Sequence, residues 1–319
     1  MTQTGPVVSG HVPVLAEEVL HWLRVREDGV YVDGTVGAGG HAALIAQRAP
    51  RGKLVALDRD PEAVLVARRR LQIFPHVTVL HANYGNLEEI LREQGITQVD
   101  GVLIDAGVSS MQLDDPRRGF SFQSEGPLDM RMDTDQELSA RTYLEHVSLE
   151  ELTQILRTYG DVRPAHRIAR TILDWREQGN LQTTSDLAAA VQQALGVKKK
   201  QPEEVRVVFQ AIRIAVNEEY RCLESGLHQA IHLLAAGGRI VAISFHSGED
   251  RIVKNVLKQY AVPRRFYYPD GRLQEEVPPL LKILTPHPVR PSQEEQRRNP
   301  RAKSARLRAA EKLPEEEGP

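Results

Sequence analysis

Three acids close three apolar runs: Asp33 ends Val30–Asp33, Asp58 ends Lys53–Asp58, and Asp105 ends Val99–Asp105. Behind the first acid comes Gly34-Thr35-Val36-Gly37-Ala38-Gly39-Gly40-His41-Ala42. Glycines at 37, 39 and 40 let the backbone approach a bound molecule where a Cβ would collide. The apolar segment Ala42 to Ala46 reads as a helix whose first N–H groups point at the same spot. Gly37-x-Gly39-x-x-Ala42 fits the dinucleotide fingerprint, and Asp58 follows about twenty residues on, placed to accept hydrogen bonds from a ribose diol. Taken alone, this fits NAD as well as S-adenosylmethionine. Asp33 discriminates: a carboxylate there repels a pyrophosphate and attracts the ammonium of a methionine moiety. Asp105 adds a second negative group beside the same crevice. The expected cofactor is the cationic one, S-adenosylmethionine.

These acids need strands to present them. Leu15, Val19 and Leu23 recur at helical spacing over Ala16–Leu23. Val30–Asp33, Lys53–Asp58, Val77–Ala82 and Val99–Asp105 read as strands, with Asp60-Pro61 starting a helix that runs to about Leu71 and a second helix over Leu87–Glu93. Strand and helix alternating at this spacing predict a parallel sheet with right-handed crossovers. Gly107–Asp135 then breaks the pattern as a long loop, the kind that is usually functional. Helices follow: one capped by Ser148 with Glu151, one over Ala165–Trp175, and one over Ser185–Leu195 stopped by Gly196. A long helix from about Glu204 to Leu234 is expected to end at Gly237-Gly238. Arg239–Phe245 reads as a fifth strand, Asp250–Gln259 as a helix and Leu280–Pro286 as a last strand. The expected organisation is an α/β domain over 1–114 and 211–319, interrupted by a helical insertion over 115–210 that reads as a substrate-recognition domain. No internal repeat is visible.

Bulk properties narrow the class. Of 319 residues, 41% are hydrophobic and 26% charged, enough for a real core and too apolar for general disorder. A net charge of −2 excludes a uniformly basic nucleic-acid coat, so any such contact must be local. The single cysteine, Cys222, excludes a disulfide framework and a cysteine-based zinc site and fits a reducing cytosol. Met1–Gly10 lacks a basic, apolar leader, and no window approaches a membrane span. A cytoplasmic protein without membrane partners is expected.

The chain resembles the bacterial RsmH (MraW) family of 16S ribosomal RNA cytosine-N4 methyltransferases over nearly its full length. The resemblance is carried by His11-Val12-Pro13-Val14-Leu15, by the Asp33–His41 stretch, and by Asp58-Arg59-Asp60-Pro61-Glu62-Ala63. It continues through Gly107–Asp115, Arg118–Phe122, Gly126–Asp133, Phe209–Asn217, Ser244–Arg251 and Asn299–Ala305. Ala106, Gly248, Asp161-Val162-Arg163 and Gln201–Val205 depart from the family pattern. The resemblance implies a Rossmann-like S-adenosylmethionine-dependent methyltransferase acting on a cytidine in the decoding region, with 16S rRNA in the small ribosomal subunit as partner. It also implies cofactor contacts at Gly39, Gly40, His41, Asp58, Tyr84, Asp105 and Gln112.

An exocyclic cytosine nitrogen is a poor nucleophile because its lone pair is delocalised. Catalysis needs an acceptor for an N–H and in-line approach to the methyl group. Asp105, with Ser109, is the expected catalytic pair. Phe120 and Phe122 are candidate stacking residues for a base taken out of its stack, with Arg117, Arg118 and Arg131 for phosphates. His246 is a candidate for the base pocket or a structural residue, and His41 for a cofactor contact or a helix cap. The acid-free run Arg297–Arg308 is expected to contact phosphate. An NAD-linked oxidoreductase and a non-catalytic RNA-binding assembly factor are the competing classes.

Overall fold

Each apolar run that closes on an acid becomes a central strand. The computed structural model describes residues 13–197 and 203–314. His11 and Val12 of the first motif, Gln201 of the departing segment and the acidic Glu315–Glu317 lie outside them. Two compact units emerge, Met1–Gly107 with Arg221–Pro319, and Val108–Tyr220.

In the first unit, α1 (Ala16–Leu23) leads to β1 (Val30–Asp33), α2 (Gly40–Arg48), β2 (Lys53–Asp58) and α3 (Pro61–Leu71). Asp60 caps α3 by accepting from Glu62 N at 3.0 Å, with Pro61 in the first turn. β3 (Val77–His81), α4 (Leu87–Glu93) and β4 (Val99–Asp105) follow. The second unit holds α5 (Ser110–Asp114), α6 (Ala140–His146), α7 (Leu149–Gly160), α8 (Ala165–Glu177), α9 (Thr184–Leu195) and α10 (Glu203–Val216). Then come α11 (Glu219–Leu233), β5 (Leu234–Ser244), α12 (Ser247–Tyr260), β6 (Arg264–Tyr267), β7 (Leu273–Val277), β8 (Leu281–Ile283), α13 (Gln293–Arg298) and β9 (Arg306–Lys312).

The seven-stranded sheet runs β3-β2-β1-β4-β5-β9-β8. Its first five strands are parallel, while β9 is antiparallel to both β5 and β8. One face packs on α1 and α2 through Leu15, Leu23, Ile45 and Leu54. The other packs on α4, α11 and α12 through Leu91, Leu227 and Val253. This is the α/β three-layer arrangement, and β1 pairs on one side with β2 and on the other with β4, opening a crevice at the carboxyl ends of the strands. Among the described residues no helix is long and apolar enough to cross a membrane.

Four expectations need correction. The long helix is two, α10 and α11, broken where Glu218 takes a left-handed φ of 48°. The break frees the buried Asn217 side chain to accept from Met132 N and donate to Met130 O, both at 2.7 Å. Gly237-Gly238 does not end a helix. It forms a bulge inside β5, where a Cβ on Gly238 would meet Ala235 O at 2.8 Å. The basic tail is not free: its end is β9, with Leu307, Ala309 and Ala310 fully buried. Arg308 there grips Asp250 of α12 at 2.7 Å. The unit boundaries lie at 107/108 and 220/221, outside the expected 115–210, because Val108, Leu113, Ile212 and Val216 all join the helical core.

Candidate active site

Backbone ties hold the glycine loop over the strand ends. Gly34 N donates to Leu103 O at 2.8 Å, and Val36 N to Leu57 O at 2.7 Å. Thr35 Oγ1 accepts from Asp105 N at 2.7 Å, fastening β1's loop to the end of β4. Gly37 and Gly39 adopt φ of 51° and 77°, conformations that cost an L side chain strain. A Cβ on Gly37 would meet nothing within 4 Å, so the loop's outer side is open at that point. Gly39 caps α2, and Arg70 of α3 donates to Ala38 O at 3.3 Å.

Asp33 is 1% exposed. Its Oδ1 accepts from Thr35 N at 3.1 Å, while its buried Oδ2 has no hydrogen-bond partner among the described residues. Burial, with Asp58 adding, pushes its pKa up to about 7 against the Thr35 hydrogen bonds. Asp58 accepts from Gly37 N at 2.8 Å and Asp60 N at 2.9 Å, yet burial still lifts it to about 6. Burial also raises Asp105 well above the carboxylate range, with Asp33 and Glu249 adding, and its Oδ1 is likewise buried without a hydrogen-bond partner among the described residues. Orphaned buried carboxylate oxygens are costly unless something polar or cationic meets them. A group bearing both an ammonium and a sulfonium suits this donor set, and a pyrophosphate does not.

His41 Nε2 lies 2.8 Å from Val14 O. A carbonyl only accepts, so Nε2 carries the proton and Nδ1 faces Asp105 Oδ2, 3.7 Å away. The histidine thus does more than open α2: it lies against the acid at the end of β4. Tyr84 follows β3, and a Cβ on Gly226 of α11 would meet its ring at 2.5 Å, so that glycine admits the aromatic. The α/β unit therefore brings Gly39, Gly40, His41, Asp58, Tyr84 and Asp105 to one end of its sheet.

Ser109 and Gln112 belong to the helical unit. There Ser109 Oγ accepts from Gln112 N at 3.2 Å, and Gln112 Oε1 accepts from Ser109 N at 3.0 Å, a capping box that starts α5. The candidate RNA-facing residues of the loop are mostly occupied internally. Phe120 is in the helical core, and Phe122 packs edge-on against Phe209 at 5.5 Å. Arg118 donates to Arg131 O and Met132 O, Arg131 grips Asp129, and Arg117 grips Asp115. In the α/β unit, His246 caps α12 and lies 3.0 Å from Glu249 Oε1.

Sequence reasoning missed Thr35, whose hydroxyl positions Asp105, and Glu249. Glu249 is 2% exposed and accepts from Phe245 N at 2.7 Å. The available signal was an acid three residues past the His that follows the fifth strand.

A family model described as the MraW methylase family matches residues 8–313. The chain belongs to that family. Proteins called ribosomal RNA small subunit methyltransferase H are similar along its length. That of Nitratidesulfovibrio vulgaris is 46% identical over 97% of this chain and 98% of its own. The Halothermothrix orenii protein is 42% identical over 95% and 98%, and the Coxiella burnetii protein 40% over 96% and 100%. Among solved structures, a putative methyltransferase from Streptococcus mutans in complex with SAH aligns with a TM-score of 0.43 at 10% identity, over 95% of this chain and 100% of that one. As an MraW-family methylase, the enzyme takes its methyl group from S-adenosylmethionine.

Proposed function

We propose that this enzyme methylates the exocyclic N4 of a cytidine in the decoding region of 16S rRNA, within the small ribosomal subunit in the cytoplasm. The names of its full-length relatives support the ribosomal RNA substrate. The observation that carries the chemistry is the half-buried Asp105 at the end of β4, whose buried Oδ1 has no hydrogen-bond partner among the described residues and whose other oxygen has His41 Nδ1 beside it.

Gly39, Gly40 and His41 line the cofactor's loop, Asp58 takes the ribose hydroxyls, Tyr84 flanks the adenine, and Asp33, Asp105 and Gln112 serve the methionine end. The bound cofactor supplies an electrophilic methyl on a sulfonium. Asp105 accepts an N–H of the target amino group, which redirects the nitrogen lone pair, and Ser109 is its candidate helper. His41, its Nε2 proton committed to Val14 O, offers Nδ1 as the next proton acceptor. The cytidine leaves its stack to reach the strand ends.

The test is methyl transfer from labelled cofactor to unmodified small subunits and to naked 16S rRNA, followed by digestion to nucleosides. N4-methylcytidine is the expected product. Label in another nucleoside, or cofactor binding with no incorporation into either substrate, overturns the reading.

A further inference from the structure

Arginines in the helical unit are generally satisfied. Arg117, Arg131, Arg141, Arg206 and Arg213 each pair with a carboxylate, and Arg118 and Arg176 donate to backbone carbonyls. Arg157, Arg163, Arg167 and Arg170 differ: all are exposed, and none has an ion-pair or hydrogen-bond partner for its guanidinium among the described residues. A single cation without a partner is ordinary surface chemistry, but here the four are neighbours in the fold.

The helical period groups them. Taking 100° per residue, His166, Arg170 and Arg167 fall within one third of α8's circumference, and Arg163 precedes its first turn. The opposite side of the helix is buried through Ala165, Ile168, Ala169, Ile172 and Leu173. Packing against the core therefore fixes the cationic side outward. Asp161 and Asp174 flank the row at its ends without pairing to it. Next to it, α7 and α8 border a groove of about 470 Å³ lined by Thr153, Gln154, Arg157, Thr158 and His166, with Glu150 also on its wall. Thr153 is 6% exposed, and its buried Oγ1 has no hydrogen-bond partner among the described residues.

We infer that Arg157, Arg163, Arg167 and Arg170, with His166 and the adjoining groove, form a docking surface for the phosphate backbone of the substrate RNA. The occupant is chosen by charge complementarity: a row of unpaired guanidiniums matches spaced phosphodiesters, and guanidinium forks bind phosphate oxygens bidentately. A surface that met an apolar or basic partner would not keep this row. The inference rests on the ribosomal RNA reading above and adds where the helical unit holds that RNA.

The test compares wild type, the triple variant R163A/R167A/R170A and the charge-keeping R163K/R167K/R170K. R141A/R206A, which removes two paired arginines, is the control. Each is assayed for binding to naked 16S rRNA and to unmodified small subunits across a salt series, for KM and kcat of methyl transfer, and for cofactor affinity by calorimetry. The alanine triple should weaken RNA binding roughly 10- to 100-fold and flatten the log-affinity-versus-log-salt slope by about 2 to 3, one contact per lost cation. Its kcat, cofactor affinity and melting temperature should stay near wild type, while the lysine triple recovers most binding. Unchanged binding and salt slope in a folded alanine triple overturns the inference, and so does a loss confined to assembled subunits, which would make a ribosomal protein the partner. If RNA binding falls as expected but wild type transfers no methyl to either RNA substrate, the docking surface stands and the proposed reaction fails.

Discussion

The carboxyl end of the sheet and the outer side of α8 are opposites in charge and burial. At the strand ends, Asp33 is buried and Asp105 half-buried, each with a buried oxygen lacking a hydrogen-bond partner among the described residues. On and just before α8, Arg163, Arg167 and Arg170 are exposed cations lacking an acid among the described residues. The Gly107–Asp135 loop matches neither, because its arginines are satisfied at home by Asp115, Asp129 and backbone carbonyls. In this protein unmet polar capacity, not charge or motif density, distinguishes groups kept for a ligand from groups that hold the fold. A buried unmet acid suits a small cation, and an exposed row of unmet cations suits an extended polyanion.

The largest expected effect breaks the idea that the basic tail belongs with the cationic surface. Deleting the chain from Arg297 removes β9 from the sheet and the Arg308–Asp250 pair with it. The truncated protein should lose its cooperative melting transition and bind neither cofactor nor RNA, as followed by circular dichroism and calorimetry. A folded truncation that bound cofactor normally and lost only RNA would return the tail to the RNA surface.

Next is Asp33→Asn, which keeps the shape and removes the charge. Cofactor affinity should drop roughly 10- to 100-fold, the ~1.5–3 kcal/mol of a charged hydrogen bond, with RNA binding unchanged. The pH dependence has a definite sign. Asp33 and Asp58 hold their protons up to about pH 7 and 6 in the free protein, and a cation prefers the ionised forms. Cofactor affinity of wild type should therefore rise as pH passes through about 6 to 7, and the Asp33→Asn variant should lose the upper part of that rise. Stability runs the other way. Carboxyls whose folded pKa is raised bind protons more tightly than in the unfolded chain, so their contribution is full below about pH 4 and lost as pH rises through about 6 to 7. Removing Asp33's charge should lessen the loss of stability across that window, read from denaturant midpoints.

Asn217→Ala should give the smallest effect and touches neither ligand directly. It orphans Met132 N and Met130 O, at a cost of about 1–3 kcal/mol in denaturant unfolding. Cofactor affinity should not change.

Much of this was legible in the sequence because it is local. Apolar runs closing on Asp33, Asp58 and Asp105, and glycines at 37, 39 and 40, sit within short windows, so strands and loop could be read from spacing, and the cofactor class from the charge of Asp33. β9 could not. Arg306–Lys312 reads as basic tail because its acid, Asp250, is remote in sequence and its apolar positions are mostly alanine. The α10–α11 break was hidden for the same reason, since Asn217 serves residues 130–132. The exposed hairpin of β6 and β7 is strongly charged and lacks a core face, so it gave no alternating signal. The Asp115–Arg117 and Asp129–Arg131 spacings are visible in the sequence too, and in the structure each is a local ion pair.

The most direct test of the central claim, that the half-buried acid at the end of β4 takes the amino hydrogen of the target, is single-turnover methyl transfer by Asp105→Ala. Enzyme is in excess over unmodified subunits, and cofactor is raised to saturation for each protein. The account predicts a rate about a hundred- to a thousandfold below wild type even at saturation, the order seen when one transition-state hydrogen-bonding group is removed. A near-normal rate once cofactor is saturating would reduce Asp105 to a binding residue and contradict it.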